Sequence, residues 1–368
     1  MYKGTGISKD QLSDDGEPCI LYGELYTKYK SETIREVISK TNIDNTKLVR
    51  SKANDVIIPC SGETAEDIAT ARCVLNGNIL LGGDLNIIRL HGYDGTFMSY
   101  QLNGRRKYDI AKVAQGVSVV HLYGEHLKGV KTINPCLKEQ KKIASLLALL
   151  DERIATQNKI IDKLQSLIKG INHRVFMNSG NNYKLGEICE IRSGYSGSQL
   201  LSKKGLKVSR IETISGHKVN MERVGYVAPF ESSENYRLRV GDILFSNINS
   251  VEYIGNTAFI DKDYDLYHGM NLLRLTPNHM VVIPFYLYLL LNTNRMLNRF
   301  KTVCNKAVSQ ASINQTELGK TVVQIPPINT QEQICELYQA LYTKLETEIH
   351  TKSLFQNHKQ YMLRQMFI

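Results

Sequence analysis

Two stretches of the chain place apolar residues at alternating steps of four and three. In 138–177 they are Ile143, Leu147, Leu150, Ile154, Ile161, Leu164, Ile168, Ile171 and Val175. In 330–367 they are Ile334, Tyr338, Leu341, Leu345, Phe355, Met362 and Met366. This spacing is a heptad seam and predicts two long helices. Gln157 interrupts the first seam; Glu348, Lys352 and Lys359 interrupt the second. Pro135, Pro326 and Pro327 stop the preceding strand and launch each helix. About 35 residues make a rod of ~50 Å. A helix with one apolar seam needs a partner, and the economical partner is the other helix, running antiparallel. In that register Gln157 is expected near Glu348 and Lys352, as a polar layer that fixes register at a cost in stability.

Ahead of each long helix the pattern changes to short apolar runs. DILF (242–245), NTAFI (256–260), NLLRL (271–275) and TVVQI (321–325) read as strands, and YKLGEICEIRS (183–193) as another. PFYLYLLLNTNRMLNRFK (284–301) reads as one helix with Pro284 at its start. Much of this repeats. QGVSVVHLYGEHLK (115–128) matches KAVSQASINQTELG (306–319) at a lag of 191 residues, and PCLKEQKKI (135–143) matches PPINTQEQI (326–334) at the same lag. Gly16-Glu17-Pro18-Cys19 matches Gly205-Leu206-Lys207-Val208. Asn54-Asp55-Val56-Ile57 matches Gly241-Asp242-Ile243-Leu244. The segment Asp84–Leu90 matches Gly269–Leu275. Blocks in one order point to a duplicated unit of mixed α/β structure followed by a long helix. The first copy is expected to be short at its front, with nothing before Gly4 to match 183–193.

Composition narrows the classes. Apolar residues make up 42% and charged residues 22%, near the globular average, which excludes disorder along the whole chain. No apolar run approaches the ~20 residues of a membrane span, and MYKGTGISKD lacks a secretory h-region. Seven cysteines without metal or framework spacing read as reduced thiols of a cytoplasmic protein. The net charge of +10 suggests a polyanionic partner. Residues 1–182 carry 25 basic and 20 acidic side chains and residues 183–368 carry 21 and 16, so each half is +5 and the charge belongs to the repeated unit.

Together these features resemble the DNA-specificity subunits of Type I restriction-modification enzymes. The carrying motif is the proline-led helix start, PCLKEQKKIASLLALLDERI (135–154) and PPINTQEQICELYQALYTKL (326–345), supported by GVSVVHLYGEHLK (116–128), VSQASINQTELG (308–319), VGDILF (240–245) and YKLGEICEI (183–191). Cys136 replaces the second proline of that motif and Thr330 its glutamate. The resemblance implies an α+β chain with an internal pseudo-two-fold repeat: two target-recognition domains (1–134 and 181–326) joined by two antiparallel coiled-coil helices (135–180 and 327–368). It implies a non-catalytic subunit in the cytoplasm of a bacterium or archaeon, without cofactor or metal. Its partners would be double-stranded DNA, two methyltransferase (modification) subunits and restriction (motor-nuclease) subunits. Each globule would read half of a split target, and helix length would set the gap, which four residues inserted into both helices should lengthen. The rival reading is a non-catalytic coiled-coil interaction scaffold with incidental basic charge.

Catalytic alternatives find no motif. Gly319-Lys320-Thr321 has the tail of a phosphate-binding loop, but Asn314 stands where its first glycine belongs. Ile325-Pro326-Pro327-Ile328 and Asn134-Pro135-Cys136 lack the polar and aromatic pair that grips a flipped base. Glu139-Gln140-Lys141 fits a nuclease string, yet it lies at a helix start, where glutamate favours the dipole. His121 and His126 have no third ligand at metal spacing. The expected DNA contacts are Arg105, Arg106 and Lys107; Lys203, Lys204 and Lys207; and Lys301, Lys306, Ser309, Gln310 and Asn314. Of these the 306–314 loop is preferred, because its small polar residues allow close approach and Gln310 can pair with adenine.

Overall fold

The structure, a computed structural model, describes residues 1–44, 46–116, 118–176, 180–306 and 310–367. The chain divides into two compact units, residues 1–161 with 347–368 and residues 162–346. The sheet of the second unit runs Cys189–Ser193, Leu272–Pro277, Ile243–Ser246, Thr257–Phe259, all antiparallel. The sheet of the first runs Tyr2–Lys3, Leu85–Ile88, Asp55–Pro59, Arg72–Val74 in the same order and sense, with Thr33–Ile34 added in parallel at the far edge. Tyr2 and Lys3 pair with Ile87 and Asn86, so the first sheet does have a strand in the edge place where nothing was expected.

The repeat extends to backbone detail. Before each central strand the chain turns through a positive φ, 76° at Asn54 and 98° at Gly241, the two residue types that tolerate it. The next residue is a buried aspartate that accepts a backbone N–H at 2.8 Å: Asp55 from Lys52, Asp242 from Arg239. Ile88 faces Val56 as Leu275 faces Ile243, each at a lag of 187. This corrects one alignment. Asp84 (φ 56°) corresponds to Asn271 (φ 64°), two residues from the match expected for that block. Each segment carries one Asn, one Arg and a run of Leu or Ile, and the slip is invisible without the turn geometry.

Each sheet is covered on both faces. In the second unit Ile243, Phe245, Leu273 and Leu275 pack against Tyr286, Leu290, Met296 and Phe300, while Leu244 and Leu272 face Ile214, Leu238 and Leu266. In the first, Val56 and Ile58 meet Met98, Leu102 and Ile110, while Ile57 and Ile87 meet Ile20, Leu25 and Ile34. Two expected elements are broken. The single helix over 284–301 is two, Pro284–Leu291 and Asn294–Val303, because Thr293 caps a fresh start by accepting the Met296 N–H. The single strand over 183–193 is two, Asn181–Lys184 and Cys189–Ser193, separated by one helical turn, Leu185–Ile188.

The long helices are Leu137–Val175 and Ile328–Gln365. Each begins on a buried glutamine that bridges two backbones. Gln140 Oε1 accepts the Asp94 N–H at 2.9 Å and its Nε2 donates to the Pro135 carbonyl at 2.7 Å. Gln331 does the same with the Ile283 N–H and the Pro326 carbonyl, both at 2.8 Å. Asp94 and Ile283 are the N-caps of equivalent helices, so each clamp fastens a long helix to its own globule. The units divide between residues 161 and 162 and between 346 and 347, inside the long helices. The reason lies in the packing. In the first unit Ala144 and Leu147 share a core with Phe97, Tyr100, Leu363 and Phe367. In the second, Ile168 shares one with Leu289 and Tyr338, flanked by Ile171, Ile334, Leu341 and Leu345.

Within the first unit the two helix segments run antiparallel, and Gln157 meets Glu348 as the seam register requires. Gln157 Nε2 donates to the Glu348 carbonyl at 3.2 Å and to its carboxylate, and both side chains are buried. Lys352 is half-buried, as are Ile143, Leu150, Ile154 and Phe355, while Ile161 is buried. In the second unit Leu164 is half-buried. Lys359 is not a mere interruption: its ammonium reaches Glu32 at 2.6 Å and Asp151 at 2.5 Å.

Candidate nucleic-acid interface

In each unit the strand leaving the centre of the sheet continues into a short strand that pairs with a hairpin. In the second unit Ile248–Asn249 pairs with Ala311–Ser312, which pairs in turn with Asn305–Lys306. In the first, Ser61–Gly62 pairs with Val120–His121, and Gln115 and His121 exchange backbone hydrogen bonds of 2.9 and 2.7 Å. One further bond is common to both: Leu122 N–H to the Cys60 carbonyl (2.7 Å), and Ile313 N–H to the Asn247 carbonyl (2.9 Å). The described residues on either side of the Val-Ser repeat thus form a paired ladder anchored at the exit of the central strand. It presents exposed Gln115 and His121 in one unit, and exposed Asn305, Lys306 and Gln310 in the other. Ser309 and its neighbours 307 and 308, like Val117, lie outside the described residues.

The expected contacts separate into groups. Lys306 and Gln310 lie on the hairpin. Asn314 follows it, but its side-chain oxygen accepts the Glu317 N–H at 2.8 Å and caps the next helix. Its oxygen is committed to the fold by the helix start that follows, so a bidentate pairing with a base does not fit. Lys301 sits half-buried inside the helix Asn294–Val303 rather than in a loop. Lys203 and Lys204 are exposed, and half-buried Lys207 lies in the strand Leu206–Val208. Arg105, Arg106 and Lys107 form the turn between helices Gly95–Asn103 and Lys107–Lys112. Arg106 pairs with Asp109 at 3.5 Å, and a Cβ on neighbouring Gly104 would come within 2.9 Å of the Leu363 carbonyl. This turn abuts the end of the second long helix, and only Arg105 of the three is exposed.

The sequence reading missed Asn247 and Asn249, which lead from the central strand to the hairpin. Asn249 donates to Ser246 Oγ at 3.1 Å and accepts the Ser250 N–H at 2.8 Å, fixing the loop, while Asn247 Oδ1 is buried without a hydrogen-bond partner. The signal was present as two asparagines leaving a strand in SNIN (246–249), a pattern that reads first as a turn.

Among the described residues no group of three His, Cys, Asp or Glu could hold a metal, and no helix is long and apolar enough to cross a membrane. All seven cysteines are unpaired thiols. Burial pushes Cys19, Cys60 and Cys335 up to about 11 and Cys73 and Cys189 up to about 12. Thiols held protonated in this way are poor nucleophiles.

Residues 179–353 match the family described as Type I restriction modification DNA specificity domain. Over 188 residues, half of this chain, the sequence is 38% identical to a putative type I restriction enzyme MjaX specificity subunit of Methanocaldococcus jannaschii; the matched part spans 44% of that relative's length. It is 22% identical over 369 residues to the MjaVIII specificity subunit of the same organism, covering 92% of this chain and 83% of that one. In fold it is similar to the crystal structure of a Type I restriction-modification S subunit from M. genitalium, with a TM-score of 0.62 at 17% identity over 100% of this chain and 93% of that one. It is also similar to a chain from a structure reported for complex assembly and conformational transition of the type I R-M system, with a TM-score of 0.57 at 18% identity over 90% and 86% of the two chains.

Proposed function

We propose, from the match of residues 179–353 to the Type I restriction modification DNA specificity family, that the chain directs a restriction-modification complex to a two-part DNA target. The observation that carries this reading is the duplication itself. Two globules share one sheet order, and each projects a hairpin from the same point of that sheet. Each hairpin reads one half-site through polar side chains in the major groove, while lysines and arginines neutralise phosphates. Because exposed Gln115 and His121 stand at the positions that Lys306 and Ser312 take in the other copy, the half-sites differ in sequence.

The chain supplies no chemistry of its own on this reading. Methylation and cleavage belong to the partners, two methyltransferase subunits and the motor-nuclease subunits, which assemble on the helices in the cytoplasm of a bacterium or archaeon. The helix pair sets the gap between half-sites.

The test is co-purification with the methyltransferase encoded beside this chain, followed by sequencing of methylated sites in the host. A two-part motif supports the reading. Gln310→Ala should then relax methylation at one half of the motif and leave the other unchanged. A contiguous motif, or equal loss at every position, would overturn it.

A further inference from the structure

One feature of the second unit has no counterpart in the first. Arg192 and Arg274 are directly opposed on neighbouring strands. Like charges in that position repel, so the arrangement costs stability unless something negative relieves it. Arg274 is only 8% exposed. One Nη donates to the Arg237 carbonyl at 3.2 Å, its Nε is buried with no partner, and no carboxylate pairs with it among the described residues. Arg192 holds Glu190 at 2.5 Å, but both are half-exposed and the pair is screened by water. A buried guanidinium without an anion is expensive.

The two arginines line an open cleft of about 440 Å³ with Ser193, Ser232, Asn235 and Gln315. His268 also lines it; burial lowers its pKa to about 4, so at neutral pH the ring adds no charge. The equivalent cross-strand pair in the first unit is Tyr2 and Ile87, and Ile87 is fully buried in an apolar core. The fold therefore does not need arginine here. Gln315 follows the hairpin strand Ala311–Ser312 by three residues and donates to the Ile191 carbonyl at 2.6 Å, so one wall of the cleft is three residues along the chain from the hairpin.

We propose that this cleft is a phosphate clamp, in which Arg192 and Arg274 hold one backbone phosphodiester of DNA beside the hairpin of the second unit. Guanidinium forks match phosphate oxygens, and the serine and amide side chains supply further donors. The clamp fixes the register of the hairpin on the duplex and carries no sequence information itself. It rests on the DNA-binding reading above and deepens it.

The experiment compares the full chain with Arg192→Gln, Arg274→Gln and Glu190→Gln, each checked for folding by circular dichroism. Arg192→Gln tests the clamp at the surface should the buried variant fail to fold. Binding to a target duplex and to a scrambled duplex is measured across a salt series. Arg192→Gln and Arg274→Gln should weaken both duplexes by the same factor, about tenfold, and reduce the salt slope by about one. Glu190→Gln should tighten both. Unchanged affinity and slope, or a loss confined to the target duplex, would overturn the clamp. Inorganic phosphate titrated against thermal unfolding tests the site without DNA. A rise in Tm that both arginine variants lose, with DNA binding untouched, assigns the cleft to free phosphate and refutes the DNA clamp. If the parent chain binds neither duplex, the DNA reading itself fails, and the phosphate titration still decides whether the cleft holds an anion.

Discussion

Replacing Lys359 with methionine should destabilise the first unit far more than a surface lysine would. The Lys359 ammonium lies 2.6 Å from Glu32 and 2.5 Å from Asp151, with side-chain exposures of 13%, 9% and 15% in that order. Asp151 also accepts the Tyr100 hydroxyl at 2.6 Å, and the ammonium lies 5.5 Å from the Tyr100 ring centroid. Methionine keeps the stem and removes the charge, leaving two carboxylates buried together. Breaking such a group costs about 3–5 kcal/mol. For a unit of this size that is a fall of roughly 6–20 °C in Tm. The sign of the pH dependence follows from Glu32. Burial raises its pKa above the ordinary carboxylate value, and Lys359 pulls it back down. A carboxylate with a raised folded pKa favours the fold most below its unfolded value, and that contribution is lost as pH rises through the folded value. Without Lys359 the penalty at neutral pH grows, and protonation relieves it. The deficit against the parent chain should therefore be widest near about pH 8 and shrink toward about pH 5. The chain has no tryptophan, so the measurement is urea unfolding by far-ultraviolet circular dichroism, with hydrogen exchange at 97–103 to isolate the first unit. A deficit below about 1 kcal/mol, the worth of an exposed ion pair, would refute the reasoning. So would a deficit equal at both pH values. Glu32→Gln in the Lys359→Met background should restore part of the loss.

Three further outcomes follow. Gln157→Leu alone should lower stability by about 1–3 kcal/mol, because it removes the amide that donates to both the carbonyl and the carboxylate of buried Glu348, whereas leucine at Gln157, Glu348 and Lys352 together should raise Tm; thermal melts of both variants decide it. Gln140→Ala and Gln331→Ala each free a partly buried N–H and the carbonyl its glutamine holds, and should cost about 2 kcal/mol apiece in urea unfolding, with hydrogen exchange locating the first loss in the first unit and the second in the second. Seven residues inserted in each helix, between 161 and 162 and between 346 and 347, preserve the seam and add ~10 Å, so the gap in the methylated motif should lengthen by about three base pairs; an unchanged gap would rule out the helices as the spacer.

The duplication and the helix seams were legible because they rest on one-dimensional spacing. The matched blocks 115–128 and 306–319 are found by a constant lag alone. What escaped depends on three dimensions. Arg192 and Arg274 lie 82 residues apart and meet only through strand register. Lys359 breaks the seam on paper, yet it is the charge that ties the second helix to Glu32. Asn314 looked like a base-reading side chain because an N-cap and a DNA contact draw on the same residue types. The split of 284–301 turned on Thr293, whose capping hydroxyl is a single atom within a strongly helical run.

The first unit is assembled from two distant pieces of chain, and this orders events during synthesis. Phe97, Tyr100 and Leu147 emerge from the ribosome long before Leu363 and Phe367, the residues that close their core. The second unit, residues 162–346, is complete before that closure is possible. The part made first is therefore the part finished last, and until then its unclosed core is open to proteases and chaperones. A nonsense codon near position 347 would spare the second unit and cripple the first.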